Sequence, residues 1–97
     1  MQTIVNVITE ISKVKHPAID YSLVKLGIVK DVDLNDDTVI LTFVFPFPNI
    51  PIADQLISSI EKPINDMGLK MEYIVRVMTE EEKARFLQLE AEAWKGM

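Results

Sequence analysis

The sequence predicts an α+β domain of two layers, with helices packed on one face of a mixed three-stranded sheet. Two observations predict this class. Apolar residues recur at helical spacing in three stretches and at strand spacing in three others, in the order α-β-β-α-β-α. A length of 97 residues leaves room for one core, so residues 1–97 are expected to form a single domain.

The first helix is predicted from apolar residues spaced three and four positions apart, namely Ile4, Val7, Ile8, Ile11 and Val14. Thr3 can cap its first turn, because a threonine side chain accepts a hydrogen bond from an otherwise unpaired amide. Pro17 disfavours helical backbone at the preceding residue, so the helix is expected to end by Lys15. A loop over residues 16–20 then leads to a short helical turn, which Gly27 closes in a left-handed conformation.

The first two strands are predicted to form a hairpin. From Ile28 onward, apolar residues face one way while Asp31 and Asp33 face the other, and residues 35–37, Asn-Asp-Asp, suit a tight turn. The second strand, residues 38–45, carries two apolar rows, formed by Val39, Leu41, Phe43 and Phe45 on one face and by Ile40 and Val44 on the other. Because a two-layer sheet normally has one covered face, the second row predicts contact with another element, a partner or a second copy of the chain.

The second helix follows a loop that contains Pro46, Pro48 and Pro51. Proline cannot donate a backbone hydrogen bond, so the second strand has to end at this loop. Apolar residues at helical spacing from Ile52 to Met67 predict the helix, which Pro63 is expected to kink or split.

The third strand and the last helix complete the predicted order. Apolar and charged residues alternate from Leu69 to Met78, which predicts a strand. Thr79 and Glu82 have the spacing of a capping box, in which each side chain accepts a hydrogen bond from the other residue's backbone amide. A C-terminal helix is therefore expected over residues 80–95.

The composition excludes several classes of function. The chain contains no cysteine, which rules out disulfides, thiolate nucleophiles and cysteine-ligated metal or cluster sites. A net charge of −5 disfavours nucleic acid as a partner. No apolar run approaches the ~18 residues of a membrane-spanning helix, and no signal-peptide pattern is present. We therefore expect no membrane contact and a cytoplasmic location.

No group of residues suggests catalysis, so the chain is not expected to be an enzyme. His16 is the only histidine, and a nucleophilic triad rarely reaches its geometry within one short loop such as the one that holds His16, Asp20 and Ser22. Asp31 and Asp33 share a strand face, but two carboxylates without further ligands more often face water than a cation. No metal site is expected.

The segment from Phe45 to Ile52, called here the proline loop, is the main candidate for binding. Its aromatic and branched side chains lie among prolines that lower the entropy cost of ordering, as a preorganised binding edge requires. Alternatively, Phe45 and Phe47 fold back to close the core. Trp94 likewise is either an interface anchor or the end of a helix that docks on the sheet. The candidate partner-binding residues are Phe45, Phe47, Asn49 and Ile50.

Several segments resemble the small iron-sulfur cluster assembly domain. These are residues 14–20 (VKHPAID), 23–32 (LVKLGIVKDV), 41–42 (LT) and 52–54 (IAD). That domain also occurs at the N-terminus of Mrp-type P-loop ATPases and in proteins of cytosolic cluster targeting and of phenylacetate operons. The resemblance implies an α+β fold and a role in inserting clusters into client apoproteins, beside a cluster-carrying ATPase or scaffold.

The family resemblance also bears on cofactors and on one pocket. Many members carry a reactive cysteine after the second strand, where this chain reads Pro46-Phe47-Pro48-Asn49. No cofactor is therefore expected to be bound directly, and an iron-sulfur cluster would be reached only through a partner: an iron-sulfur carrier, a P-loop ATPase or a client apoprotein. Asp20 and Thr42 match positions where the family carries polar residues beside this loop, which implies that they line a shallow pocket.

Two functions remain open at this point. The first is a non-enzymatic iron-sulfur cluster assembly or maturation factor, an adaptor that acts through protein contacts of the proline loop and the adjoining apolar strand face. The alternative is a homo-oligomeric regulatory module that binds a small anionic ligand near His16, Asp20 and Thr42. The second apolar row of the central strand is compatible with a homodimer.

Overall fold

A hairpin and a helical crossover build the sheet. The structure, a computed structural model that describes residues 2–95, contains α1 (Ile4–Ile11), β1 (Val29–Asn35), β2 (Thr38–Phe45), α2 (Ala53–Asp66), β3 (Lys70–Val77) and α3 (Glu80–Ala93). β1 pairs antiparallel with β2, and β2 pairs parallel with β3, so β2 is the central strand. The predicted α+β class, with its mixed three-stranded sheet and its order of elements, is confirmed. Within residues 2–95, no helix combines the length and the apolarity needed to cross a membrane.

The core lies between the sheet and the helices α1 and α2. α1 contacts β1 and α2, and α2 contacts β2 and β3. The buried apolar residues of these helices are Val7, Ile11, Leu56, Ile60 and Ile64, and those on the facing side of β2 are Val39, Leu41, Phe43 and Phe45. Full burial of a large apolar side chain contributes about 1.5–3 kcal/mol, so these facing rows hold the two layers together.

The two faces of β2 differ in cover. On the face away from α1 and α2, Val44 is fully buried and Thr42 is nearly so, whereas Ile40 remains exposed. The second apolar row is thus covered by the chain itself at one end of the strand and is open at the other end.

Both predicted helix caps are present. The Thr3 hydroxyl accepts a hydrogen bond from the Asn6 amide at 3.2 Å. At the start of α3, the Thr79 hydroxyl accepts from the Glu82 amide at 3.3 Å, and the Glu82 carboxylate accepts from the Thr79 amide at 2.9 Å. This capping box starts α3 at Glu80, three residues after β3 ends at Val77.

The first helix is shorter than predicted. α1 ends at Ile11 rather than near Lys15, because the next residues pair with a later segment. The Val14 carbonyl accepts from the Leu23 amide at 3.0 Å, and Lys15 forms an isolated antiparallel bridge with Ser22. Backbone groups that bond across this loop cannot also continue a helix.

Pro63 does not split α2, which was one of the two effects expected of this proline, because the helix continues through it. The buried side chains of Ile60 and Ile64 hold the helix to the core on both sides of the proline, which offsets the hydrogen bond that proline cannot make.

α3 ends at Ala93 rather than at residue 95. Trp94 pairs with Ile19 in an isolated antiparallel bridge, and the Lys95 amide donates to the Ala18 carbonyl at 3.1 Å. These contacts tie the end of the described chain to the loop after α1.

Candidate functional site

The proline loop forms one wall of a cleft of about 330 Å³, here called the proline-loop cleft. The start of α2 and one side of β3 form the rest of its lining. All four sequence-predicted partner-binding residues line it, namely Phe45, Phe47, Asn49 and Ile50. The fold therefore brings these four residues together around one concave surface.

The four residues differ in exposure. Phe45 is buried and Ile50 is half-buried against the core, whereas Phe47 is 45% exposed. Asn49 is exposed, and its φ of +57° is an angle that asparagine tolerates better than most other residues with a side chain. Phe45 thus belongs to the core, as one of the two interpretations of the loop predicted, while Phe47 stays at the surface.

A lysine from α3 covers part of the Phe47 ring. The Lys83 ammonium lies 4.2 Å from the ring centroid. Such a cation–π contact contributes about 0.5–1 kcal/mol at an exposed position. It orients the ring without burying it, so an apolar surface remains available in the cleft.

β3 supplies an exposed apolar row beside the loop. Tyr73, Val75 and Val77 line the cleft and are all exposed. Phe43 supports this row, because its ring contacts the Tyr73 ring edge-on, at a centroid distance of 5.3 Å and an interplanar angle of 86°. The sequence predicted this row but not its exposure, which arises because little of the described chain packs over these three side chains.

An ion-pair cluster that sequence reasoning missed lies next to the cleft. Arg76 donates to both carboxylate oxygens of Glu82, at 2.7 and 2.9 Å, and Lys30 donates to the same carboxylate. These bonds, with that from the Thr79 amide, hold the pKa of Glu82 far below its usual range. The cluster connects β1 and β3 to the first turn of α3, and the only sequence signal for it was the capping box.

The residues of the predicted anion pocket are not all in one place. Thr42 lines a cleft on the open sheet face that contains neither His16 nor Asp20. His16 Nδ1 accepts from the Ala18 amide at 3.0 Å, and Asp20 pairs with Lys15 at 2.9 Å.

The loop that holds His16 and Asp20 carries charges of both signs. Partial burial, and then the nearby Lys95, lower the pKa of His16, so its ring is neutral at pH 7. The hydrogen bond from Lys15 lowers the pKa of Asp20, which keeps that carboxylate negative. The imidazole and the carboxylate themselves offer little attraction to an anionic ligand, and the positive charges nearby are the ammonium groups of Lys15 and Lys95.

The cleft on the open sheet face is acidic. Asp31, Asp33 and Glu72 line it together with the apolar side chains of Ile40 and Ile74. A bulge between Lys30 and Asp33, with Asp31 at a φ of +53°, shifts the register of β1 here. Among residues 2–95, no three His, Asp or Glu side chains are grouped closely enough to hold a metal ion.

The order of elements, the mixed sheet and the apolar cleft define a small, cysteine-free α+β domain with a preformed concave surface. The family model described as "Iron-sulfur cluster assembly protein" matches residues 4–73. The chain belongs to this family.

A solved structure has the same fold. It is a crystallised domain from Bacillus anthracis described as a domain of unknown function, DUF59, and the TM-score is 0.67. The alignment covers 86% of this chain and 87% of that chain, with 20% sequence identity. This likeness concerns the fold alone. No curated protein in the comparison matches the chain.

Proposed function

We propose that the chain is a non-enzymatic iron-sulfur cluster assembly or maturation factor that acts as an adaptor through protein contacts at the proline-loop cleft. Family membership supports the role in cluster assembly. The observation that carries the contact mechanism is the exposed apolar lining of the cleft, in which Phe47 lies beside Tyr73, Val75 and Val77. Preformed clefts with aromatic side chains are the surfaces where a partner's apolar anchor residue is bound most strongly.

The iron-sulfur cluster is cargo in this proposal, and the partner holds it. Clusters are usually ligated by cysteine thiolates, and this chain has none. The partner is therefore an iron-sulfur carrier, a P-loop ATPase or a client apoprotein that brings its own thiolates. We expect the contact to take place in the cytoplasm.

The contact is tested by co-purification with the tagged full chain and identification of the bound proteins. The wild-type protein should recover an iron-sulfur carrier, a cluster-related P-loop ATPase or an iron-sulfur client. Phe47→Asp should weaken that recovery roughly 30-fold, since loss of a central aromatic contact typically costs about 2 kcal/mol.

Val5→Asp is the matched control. Val5 is also an exposed apolar residue, at 67%, but it lies in the first turn of α1, where an added carboxylate suits the helix dipole. This variant should recover the same partners as the wild type. Equal recovery by Phe47→Asp, or a wild-type sample without iron-sulfur proteins, would contradict the proposed contact.

The cargo assignment has its own test. The purified chain is incubated anaerobically with ferrous iron and sulfide and then desalted, and iron and sulfide are quantified. The chain alone should retain neither in stoichiometric amount, while a mixture with the partner should retain both. Stoichiometric iron and sulfide on the chain alone would refute the assignment.

A further inference from the structure

β3 is an open sheet edge. It pairs with β2 on one side and with no other strand among residues 2–95, and residues 72–77 are all exposed. Apolar side chains are exposed on both of its faces: Val75 at 52% on the side of the proline-loop cleft and Ile74 at 66% on the opposite side. An unpaired strand with this composition can add another strand through its free backbone groups.

The pairing with β2 defines which backbone groups are free. The Lys70 amide donates to the Asp37 carbonyl and the Met78 amide donates to the Phe45 carbonyl, both at 2.8 Å. Backbone groups of successive strand residues point to alternate sides, so the even-numbered residues of β3 bond to β2. The amides and carbonyls of residues 71, 73, 75 and 77 therefore point toward the open edge.

We propose that this edge binds β3 of a second copy of the chain, antiparallel, about a two-fold axis at Ile74. In this register Ile74 lies opposite the partner's Ile74, Tyr73 opposite the partner's Val75, and Glu72 opposite the partner's Arg76. The odd-numbered residues form the hydrogen-bonded pairs, and the two sheets join into one continuous sheet.

Three neighbouring registers, with the two-fold axis at Tyr73, Ile74 or Val75, keep the odd-numbered side chains of both strands on one face of the joined sheet. The charged side chains favour the axis at Ile74. An axis at Tyr73 would place Lys70 opposite the partner's Arg76, and like charges in directly opposite positions repel. An axis at Val75 would place the apolar Ile74 opposite the partner's Arg76. The axis at Ile74 places a carboxylate opposite a guanidinium, and the symmetry makes that contact twice.

The two charged groups are available for this contact. Glu72 takes part in none of the ion pairs among residues 2–95. Arg76 already bonds Glu82 through both terminal nitrogens, but its side chain is still 40% exposed. A guanidinium has five N–H donors, so Arg76 can bond a second carboxylate.

The dimer would not close the proline-loop cleft. Edge-to-edge pairing extends the sheet in its own plane, so the face that carries Tyr73 and Val77 gains neighbours at its side and remains accessible from above. The inference therefore does not depend on the proposed function, and each can fail without the other.

A single-thiol scan tests the register, because the chain has no cysteine of its own. Opposite residues that do not form a hydrogen-bonded pair have Cα atoms about 4.5 Å apart, which suits a disulfide, whereas diagonal neighbours lie about 7–8 Å apart. Under mild oxidation, Ile74→Cys should therefore cross-link to a dimer much faster than Tyr73→Cys or Val75→Cys. Val5→Cys reports random collision.

The proposed register would be overturned if Tyr73→Cys or Val75→Cys cross-linked faster than Ile74→Cys. Cross-linking at all three β3 positions at the rate of Val5→Cys would overturn the dimer itself. Sedimentation equilibrium of the untreated wild-type chain gives an independent reading, and a monomer at protein concentrations of about 100 µM would also overturn it.

Two further variants probe the backbone and the charge contacts separately. Val75→Pro removes an amide that points to the open edge and leaves the hydrogen bonds to β2 in place. Glu72→Arg replaces the attraction to the partner's Arg76 by repulsion. Each variant should raise the dissociation constant of the dimer roughly tenfold or more. Both variants should keep the far-ultraviolet circular dichroism spectrum of the wild type.

Glu61→Arg makes the same charge change at an exposed position of α2 and should leave the dimer intact. If the proline variant fails to fold, Glu72→Arg decides the question. If Glu72→Arg has the same dimer dissociation constant as the wild type, the proposal is overturned.

Discussion

Replacing Phe43 by leucine should destabilise the domain far more than the same replacement at Phe47. Phe43 is fully buried and contacts the rings of both Phe45 and Tyr73. Each aromatic pair contributes about 0.5–1.5 kcal/mol beyond its area burial, so the loss of both costs about 1–3 kcal/mol before any cavity is counted. Phe47 is half-exposed and should lose only about 0.5 kcal/mol with its cation–π contact.

Thermal and urea unfolding of both variants measure this difference. One kcal/mol shifts the melting temperature of a domain this size by about 4–8 °C, so Phe43→Leu should melt roughly 5–20 °C lower and Phe47→Leu within about 4 °C of the wild type. Partner recovery should show the opposite order at temperatures where both variants are folded. Equal losses of stability at the two positions would refute the assignment of Phe43 to the core and of Phe47 to the surface.

Two other predictions concern the first turn of α3 and the tight turns. The lowered pKa of Glu82 means that its contribution to stability is complete above its ordinary pKa of 4.5 and is lost progressively as the pH falls from that value toward the lowered pKa. In urea unfolding between pH 7 and pH 3, Glu82→Gln should therefore lose less unfolding free energy on acidification than the wild type. An unchanged pH dependence of the unfolding free energy would contradict the role of Arg76. Gly27→Ala and Gly68→Ala should each lower the unfolding free energy by about 1–2 kcal/mol, because both residues have a φ of +79° and neither added methyl group meets a clash. A much larger loss of unfolding free energy in Gly27→Ala than in Gly68→Ala would show that the contact of the added methyl group with the Lys30 side chain determines the loss.

Local patterns predicted the elements of the fold well. The cap at Thr3, the capping box at Thr79 and the left-handed glycine at position 27 all appear as expected, because each depends on residues within one turn of the chain. The errors fall where distant segments override a local preference. α1 ends early because the residues that follow it, Val14 and Lys15, pair with Leu23 and Ser22, and α2 continues through Pro63 because buried isoleucines hold both halves.

The candidate site was predicted in part. The proline loop stood out in the sequence, and its four candidate residues line one cleft. The cluster of Lys30, Arg76 and Glu82 was not predicted, since Lys30 and Glu82 are 52 positions apart and the capping box that contains Glu82 carries no information about Lys30 or Arg76. His16, Asp20 and Thr42 are not gathered in one cleft, because the first two lie in the loop after α1 while Thr42 lies in the central strand.

The sequence alone determined the class of fold, the family resemblance and the absence of a thiol in the loop after the second strand, because hydrophobic period, short motifs and composition can be read along the chain. Only the tertiary structure decided which apolar rows stay exposed. Tyr73, Ile74 and Val75 have the same local pattern as a buried strand, and they are exposed because little of the described chain packs over the two faces of β3 at these positions. Exposure depends on what packs against a residue across space, and periodicity along the chain carries no information about that neighbour.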